Sequence, residues 1–496
     1  MQAQLHVSKH FRIGEVSPLI FGGFLEHMGR SVYEGIYDPD SPLADSRGLR
    51  TDVLAALKEL ELTTVRYPGG NFTSGYHWED GVGPREKRPT VRDLAWHSLE
   101  TNQFGTDEFI ELCRELECEP MLAVNLGTGT PEEARNWVEY CNSPVGTKYA
   151  DIRAANGHEE PFDVKYWCLG NEMDGPWQIG HVPAEHYAVR AQQAAKMMKD
   201  TDRSIHTVAC GSSSPAMPTY LEWDRTVLEH VGAMADYVSL HRYVGNSHDD
   251  TPNFLAVSNS IDKQIMAVDA CCRYVAERHR LAKRHYLCFD EWNVWYKART
   301  PEHMNGRGKF APPLVEEVYN LEDALVVAGF LMSFIRHADV VKIANLAQLV
   351  NVIGPILTRK DAMLKQSTFY AFKMISTRKG GVSLRANTTS PTYSSHTRGE
   401  ASYLDQAVTL DGDKINLFLT NRSRERLDIS VWTDVELTGV ISAEILTGDD
   451  PKMVNDYDSP DVVVTQPFDG VSVNGTSASF SLPPLAFSAI TLSVGD

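Results

Sequence analysis

Between about residues 18 and 380 the chain repeats one pattern eight times: a short apolar run rich in β-branched or aromatic residues, then a longer stretch with helical spacing. The runs are PLIFGGFLEH (18–27), TTVRYPGGN (63–71), EPMLAVNLG (119–127), VKYWCLGNE (164–172), HTVACGSSS (206–214), ADYVSLHRYV (235–244), RHYLCFDEWN (284–293) and VVKIANLAQLV (340–350). Helical stretches between them include TDVLAALKELEL (51–62), TDEFIELCRELE (106–117) and PAEHYAVRAQQAAKMMKD (183–200), with Pro183 at a first-turn position; KQSTFYAFKMIS (365–376) closes the series. Strands that are apolar on both faces need helices on both sides, as in a parallel sheet. Eight such units predict an α/β fold of the (β/α)8 TIM-barrel type. A doubly wound open sheet competes with it, but GGFLEHMG (22–29) lacks the G-x-G-x-x-G spacing that such a sheet uses for phosphate.

After residue 380 the texture changes to short alternating runs separated by turn residues: DKINLFLTN, RLDISVWTDV, GVISAEILTG, VVVTQPF and ASFSLPPLAFSAITLSV. That pattern predicts an all-β, jelly-roll-like sandwich over 381–496. The barrel then spans 18–380 as the catalytic domain, and the N-terminal strand within 1–17 is expected to complete the sandwich.

With 47 basic against 66 acidic side chains and a formal charge of −19, the chain is unsuited to nucleic acid or an anionic membrane, which demand clustered Lys and Arg. The start, MQAQLHVSKHF, holds no signal-peptide core, and the longest apolar stretch, ALVVAGFLMSFI (324–335), stops at Arg336. A cytoplasmic protein without a membrane partner is expected. All eight cysteines lie between Cys113 and Cys288, mostly in apolar segments, and read as small buried hydrophobes. Walker A and H-E-x-x-H motifs are absent, and nothing in the sequence calls for a metal or a cofactor.

In a barrel of this kind chemistry sits at the C-terminal ends of the strands. Those ends carry Glu26 and His27, Arg66 and Asn71, Asn125, Asn171 and Glu172, His241 and Tyr243, Glu291, and Asn345 and Gln348. Three carboxylates with an arginine, amides and aromatics suit a sugar. Glycoside hydrolysis needs one carboxyl to protonate the leaving oxygen and another to attack or to activate water. Glu172 and Glu291, at the ends of strands 4 and 7, are the candidate pair. Burial after an apolar strand is expected to keep Glu172 protonated as the acid, with Arg66 and Tyr243 holding Glu291 ionised. Strand alternation points only one of Asp290 and Glu291 to the lumen, leaving Asp290 a structural role. Trp96 and Trp295 are candidate rim or leaving-group contacts. The long segment 294–320 is expected to wall the leaving-group side.

The segments GGFLEHMGRSVYEGIYD (22–38), VRYPGGNFTSGYHWEDGVGP (65–84), YWCLGNEMDGPWQIGH (166–181), SLHRYV (239–244), CFDEWNVWY (288–296) and ANLAQLVNVIGPI (344–356) make the chain resemble the α-L-arabinofuranosidases of glycoside hydrolase family 51 over essentially its whole length. The resemblance implies a retaining, exo-acting α-L-arabinofuranosidase, with Glu172 as general acid/base and Glu291 as nucleophile. It implies sugar contacts from Glu26, Asn71, Asn171, Tyr243 and Gln348, with Arg66 and His241 in support. It also implies arabino- and arabinoxylo-oligosaccharide substrates, no cofactor, and a homo-oligomer, hexamers being common in the family. Another retaining glycosidase of the same mechanism, a β-xylosidase or endo-β-1,4-glucanase, is the nearest competing reading. A non-catalytic sugar-binding barrel is further off, because it needs neither glutamate.

Overall fold

In the computed structural model, which describes residues 1–495, eight parallel strands close into a barrel. They are β1 (Gly22–Phe24), β2 (Thr64–Tyr67), β3 (Glu119–Ala123), β4 (Tyr166–Leu169), β5 (His206–Ala209), β6 (Tyr237–Val244), β7 (Tyr286–Val294) and β8 (Val341–Ala347), each hydrogen-bonded to its neighbours in sequence, with β8 closing on β1. The helices that follow them in turn are α1 (Thr51–Glu59), α2 (Thr106–Glu115), α3 (Pro131–Asn142), α4 (Ala184–Thr201), α5 (Glu222–Val231), α6 (Ser258–His279), α7 (Leu321–Arg336) and α8 (Ser367–Ser376). The eightfold alternation read from the sequence is therefore the barrel itself. Pro183 sits one position earlier than expected, as the cap residue of α4, where its missing N–H is harmless.

Helix starts follow local chemistry. At α2 the Glu108 carboxylate accepts from the Gly105 N–H at 2.8 Å, and at α7 Asn320 and Asp323 cap each other, Oδ1 accepting from the Asp323 N–H and Oδ2 from the Asn320 N–H. Every residue of α7 from Leu321 to Ile335 is buried. A helix apolar all round must be covered all round, and α7 packs on α8, α6 and β7 on one side and on sandwich strands on the other. That explains the longest apolar run of the chain. No described helix is long and apolar enough to cross a membrane.

The remaining strands form two sheets of five and seven and three two-stranded ribbons. In the first, Gln2–Val7 lies between Asn387–Thr389 and Leu427–Thr433, so the N-terminus is woven into the sandwich. A core of alternating side chains such as Leu5, Leu417, Ile429, Leu482 and Ile490 fills the space between the sheets. Sandwich and barrel share a buried polar seam: Arg336 donates to Asp405 (3.0 Å) and pairs with Asp262 (3.1 Å), while Arg422 pairs with the other Asp405 oxygen and reaches Ser258.

Inside the barrel, Met121, Ala123, Cys168, Val208, Cys288 and Ile343 form a small apolar plug. It closes the lumen below and leaves the C-terminal mouth as the open end. The eight cysteines are unpaired thiols and all but Cys118 and Cys271 are buried.

Candidate active site

The loop after β4 turns sharply at Gly170 (φ +91°) and again at Glu172 (φ +44°), a left-handed conformation uncommon outside glycine. Strain of this kind is held where the surroundings over-determine the backbone, and here it lifts the Glu172 carboxyl over the barrel mouth. The Glu172 side chain is 12% exposed, not enclosed as expected. Oε2 accepts from the Trp177 indole N–H at 2.7 Å, and Oε1 lies 2.9 Å from His241 Nδ1.

Opposite it, Glu291 is buried on β7. Oε1 accepts from Arg66 Nη1 at 2.8 Å, Oε2 from the Tyr243 hydroxyl at 2.9 Å, and His241 Nδ1 is 3.5 Å from Oε2. Burial lifts the Glu291 pKa above 4.5, and the net direction stays upward although His241 and Arg66 pull against it. The expectation that burial acts chiefly on Glu172 is thus reversed: Glu291 is the deeper carboxyl.

Asp290 also departs from expectation. The register of β7 shifts against β8 between Phe289 and Trp292, and that of β6 against β7 between Ser239 and His241. At such bulges simple alternation fails, and Asp290 and Glu291 both reach the lumen, Asp290 Oδ2 lying 3.2 Å from Arg66 Nε. Trp292 turns outward onto Phe330 and Phe334 of α7, with ring centroids 4.9 and 5.4 Å away.

Arg66 is fully buried and its fork is spread over three partners, the third being Asn171 Oδ1 at 2.8 Å from Nη2. Its guanidinium also lies over the Phe24 ring, 4.8 Å from the centroid. Glu26 and Gln348 hold each other reciprocally: the Glu26 N–H donates to Gln348 Oε1 (3.0 Å), and Gln348 Nε2 donates to Glu26 Oε2 (3.3 Å). Glu26 Oε1 accepts from the Phe72 N–H and from the Trp96 indole, both at 3.0 Å. Burial, then the charge of Glu291, pushes the Glu26 pKa up to about 8 despite these donors. Between Glu26 and Glu291 runs the Gly69-Gly70 backbone. A Cβ on Gly70 would stand 3.1 Å from Glu26 Oε2 and 3.2 Å from Glu291 Oε1, so the paired glycines let the chain pass between two carboxyls.

These groups surround a cavity of about 440 Å³. Its walls include Glu26, Asn71, Trp96, Glu172, Tyr243, Glu291, Trp295 and Gln348. The Asn71 side chain makes no hydrogen bond to any described residue. Three predicted residues stand behind the wall: Arg66, His241 and Asn171, which Arg66 draws back. Trp96 lies deep, braced on Glu26, rather than at the rim. Trp295 does stand toward the opening, with the Arg299 guanidinium 4.1 Å from its ring centroid. Asn125 and Asn345 are bound to backbone carbonyls, at Tyr76 and Gly23, and take no part.

The sequence reading missed Trp177, Ser213, Ser214, Arg299 and Met304, which also face the cavity. Trp177 is 51% exposed yet hydrogen-bonded to Glu172; its place five residues after that glutamate in one loop was a usable signal. Ser213 and Ser214 follow β5, the one strand end assigned no residue. Arg299 and Met304 come from the segment 294–320.

Glu172, His241 and Glu291 each bring one donor atom into a group no wider than 4.8 Å, the arrangement among the described residues able to hold a metal. A cation there would sit against the Arg66 guanidinium, already 2.8 Å from Glu291, so the set suits hydrogen-bonded carboxyls better.

Two acids facing each other across a closed-bottomed cavity in a (β/α)8 barrel define a glycoside hydrolase. Family models described as the α-L-arabinofuranosidase 1 domain and the α-L-arabinofuranosidase C-terminal domain match residues 56–260 and 290–486. The chain is 45% identical to intracellular exo-α-(1→5)-L-arabinofuranosidase 1 of Bacillus subtilis over 99% of both chains. It is 41% identical to an exo-α-(1→6)-L-arabinofuranosidase of Bifidobacterium longum, over 99% of this chain and 97% of that one. The solved family 51 α-L-arabinofuranosidase of Bifidobacterium longum superposes with a TM-score of 0.93 at 38% identity, over 99% of each chain. An α-L-arabinofuranosidase of Thermotoga maritima, solved as an arabinose complex, gives 0.88 at 34%, over 99% of this chain and all of that one. The chain belongs to the α-L-arabinofuranosidases of glycoside hydrolase family 51.

Proposed function

We propose that this α-L-arabinofuranosidase cleaves with retention, by double displacement through a covalent arabinosyl-enzyme on Glu291. The observation that carries the reading is the separation of the two acids: a Glu172 oxygen and a Glu291 oxygen lie within 4.8 Å of each other. Retaining enzymes hold their carboxyls about 5–5.5 Å apart, whereas inverting ones need about 6.5–9.5 Å to admit a water. In the first step a Glu291 oxygen bonds to the anomeric carbon as the glycosidic bond breaks, and Glu172 gives its proton to the leaving oxygen. In the second, Glu172 takes a proton from water, the water oxygen bonds to the anomeric carbon, and Glu291 leaves as carboxylate.

Glu26, Asn71, Trp96, Tyr243 and Gln348 then hold the arabinofuranosyl unit. Arg66, braced by Asn171, orients Glu291 from behind, and Trp177, Ser213 and Arg299 meet the leaving group. A cavity of about 440 Å³ walled by Glu26, Trp96, Glu291 and Gln348 supports exo action on terminal arabinofuranosyl residues of arabino- and arabinoxylo-oligosaccharides. The relatives' names differ in linkage, (1→5) and (1→6), and the loop residues Trp177, Arg299 and Met304 stand where a leaving group would lie. Residues 18–380 serve as the catalytic unit and 381–496, with the N-terminal strand, as the sandwich, in a cytoplasmic homo-oligomer.

The test is the configuration of the first sugar released from 4-nitrophenyl α-L-arabinofuranoside, followed by proton NMR before mutarotation. The α-anomer appearing first supports the reading, and the β-anomer appearing first overturns it.

A further inference from the structure

Asp290 has no place in the two-step chemistry, yet it is a fully buried carboxylate at the centre of the site's charges. One oxygen, Oδ2, faces Arg66 Nε at 3.2 Å and accepts from the Cys168 thiol at 3.7 Å. The other, Oδ1, lies 3.3 Å from His241 Nε2, within ion-pair distance, and both atoms are buried without a well-aligned hydrogen bond to any described residue. His241 is equally enclosed, and its second nitrogen, Nδ1, is 2.9 Å from Glu172 Oε1. Asp290, His241 and Glu172 thus form a line from the barrel interior to the cavity.

We propose that Asp290 is a positioning residue for the acid/base: by engaging Nε2 it turns Nδ1 toward Glu172 and keeps one proton shared between Glu172 and His241. The proposal rests on the reading of Glu172 as acid/base. A carboxylate accepts and cannot donate, so a charge 3.3 Å from Nε2 favours the proton on that nitrogen. Neutral His241 then offers Glu172 a lone pair at Nδ1 and receives a hydrogen bond from the protonated acid. After Glu172 has given its proton to the leaving group, an imidazolium N–H at Nδ1 would steady the carboxylate that must act as base. The charged groups set against His241 are Glu172 and Asp174 from the β4 end and Asp290 and Glu291 from β7. Their balance favours the cation. Burial alone would lower the His241 pKa, but the charges of Glu291 and Asp290 outweigh it and hold it well above 6.5.

The experiment is Asp290→Asn, assayed as kcat/KM against pH on an arabinose disaccharide, whose poor leaving group needs the proton. Loss of the negative charge makes the shared proton easier to lose, so the basic limb is expected to move down by about 1–3 pH units. On 4-nitrophenyl α-L-arabinofuranoside, whose leaving group needs little protonation, the limb of kcat/KM should move much less. The double variant Asp290→Asn with His241→Gln should be no slower than His241→Gln alone. A basic limb that stays in place, or losses that multiply, would overturn the proposal. Should Asp290→Asn not fold, ¹⁵N-histidine NMR of the wild-type enzyme decides it: Nε2 protonated throughout with Nδ1 titrating supports it, and a neutral Nδ1–H tautomer refutes it. Failure of the acid/base reading itself would show separately, as equal losses on both substrates in Glu172→Ala.

Discussion

Arg66→Met removes a buried cation and leaves its volume largely filled. The guanidinium lies 2.8 Å from Glu291 and 3.2 Å from Asp290. At an effective dielectric of ~20, a unit pair at the shorter distance interacts by about 6 kcal/mol, a ceiling that the shared charge of Asp290 reduces. An arginine beside a carboxyl typically depresses its pKa by about 1–3 pH units. In Arg66→Met the Glu291 pKa rises further, so the acid limb of kcat/KM on 4-nitrophenyl α-L-arabinofuranoside should move up by about that much. Arg66→Lys keeps a charge but not the fork, so its limb should move far less while its rate still falls, because Asn171 loses its donor. Two stranded carboxylates should also cost about 3–5 kcal/mol of stability, read by denaturant melts. For Asp290, held below 3.8 by Arg66 and His241 against its burial, the lost stability is the part present above pH 3.8 in the wild type. An unmoved acid limb in Arg66→Met, with wild-type activity, would refute the claim that this cation sets the charge of Glu291.

Glu172→Ala should slow cleavage of arabino-oligosaccharides by several orders of magnitude but spare the first step on 4-nitrophenyl α-L-arabinofuranoside, as pre-steady-state release of nitrophenol would show. Glu26→Gln should weaken substrate binding, seen as a raised KM, while stabilising the fold increasingly with pH. A carboxyl at about 8 in the fold against an ordinary 4.5 binds more protons folded than unfolded, so its contribution is lost as pH rises between those values. The stability gap between Glu26→Gln and wild type, followed by denaturant melts, should therefore widen from pH 5 to pH 8, toward a limit of about 5 kcal/mol. Trp177→Phe removes the indole donor to Glu172 and should cost about 10–100-fold in kcat/KM on oligosaccharides, a charged hydrogen bond being worth about 1.5–3 kcal/mol; an unchanged value would place Trp177 outside the chemistry.

Much of this molecule is legible in its sequence because strand ends in a barrel converge by topology alone. Glu26, Arg66, Glu172, Tyr243, Glu291 and Gln348 could be read off one by one as polar residues ending apolar runs. What was hidden depends on local departures from regular structure. Bulges on β6 and β7 turn Asp290 and Glu291 to the same side, which a period of two cannot foretell. Trp177, Arg299 and Met304 reach the cavity from loops, where sequence distance says little about direction. Burial was misjudged for the same reason: the apolar residues before Glu172 form the strand below it, whereas its exposure is set by a loop with a left-handed backbone. That Asn171 Oδ1 is held by Arg66 at 2.8 Å was not legible either, because the two residues lie at the ends of different strands. The apolar run 324–335 was explained by the sandwich lying over α7, a contact invisible until both domains are in place.

The central claim is that Glu291 carries the sugar between the two steps. Glu172→Ala, mixed with excess 4-nitrophenyl α-L-arabinofuranoside and quenched in acid, should gain the mass of one anhydro-arabinosyl unit. Peptide mapping should place that mass on Glu291 within the β7 peptide. An unmodified protein at a time when nitrophenol has been released in stoichiometric amount, or an adduct on any other residue, would contradict the account.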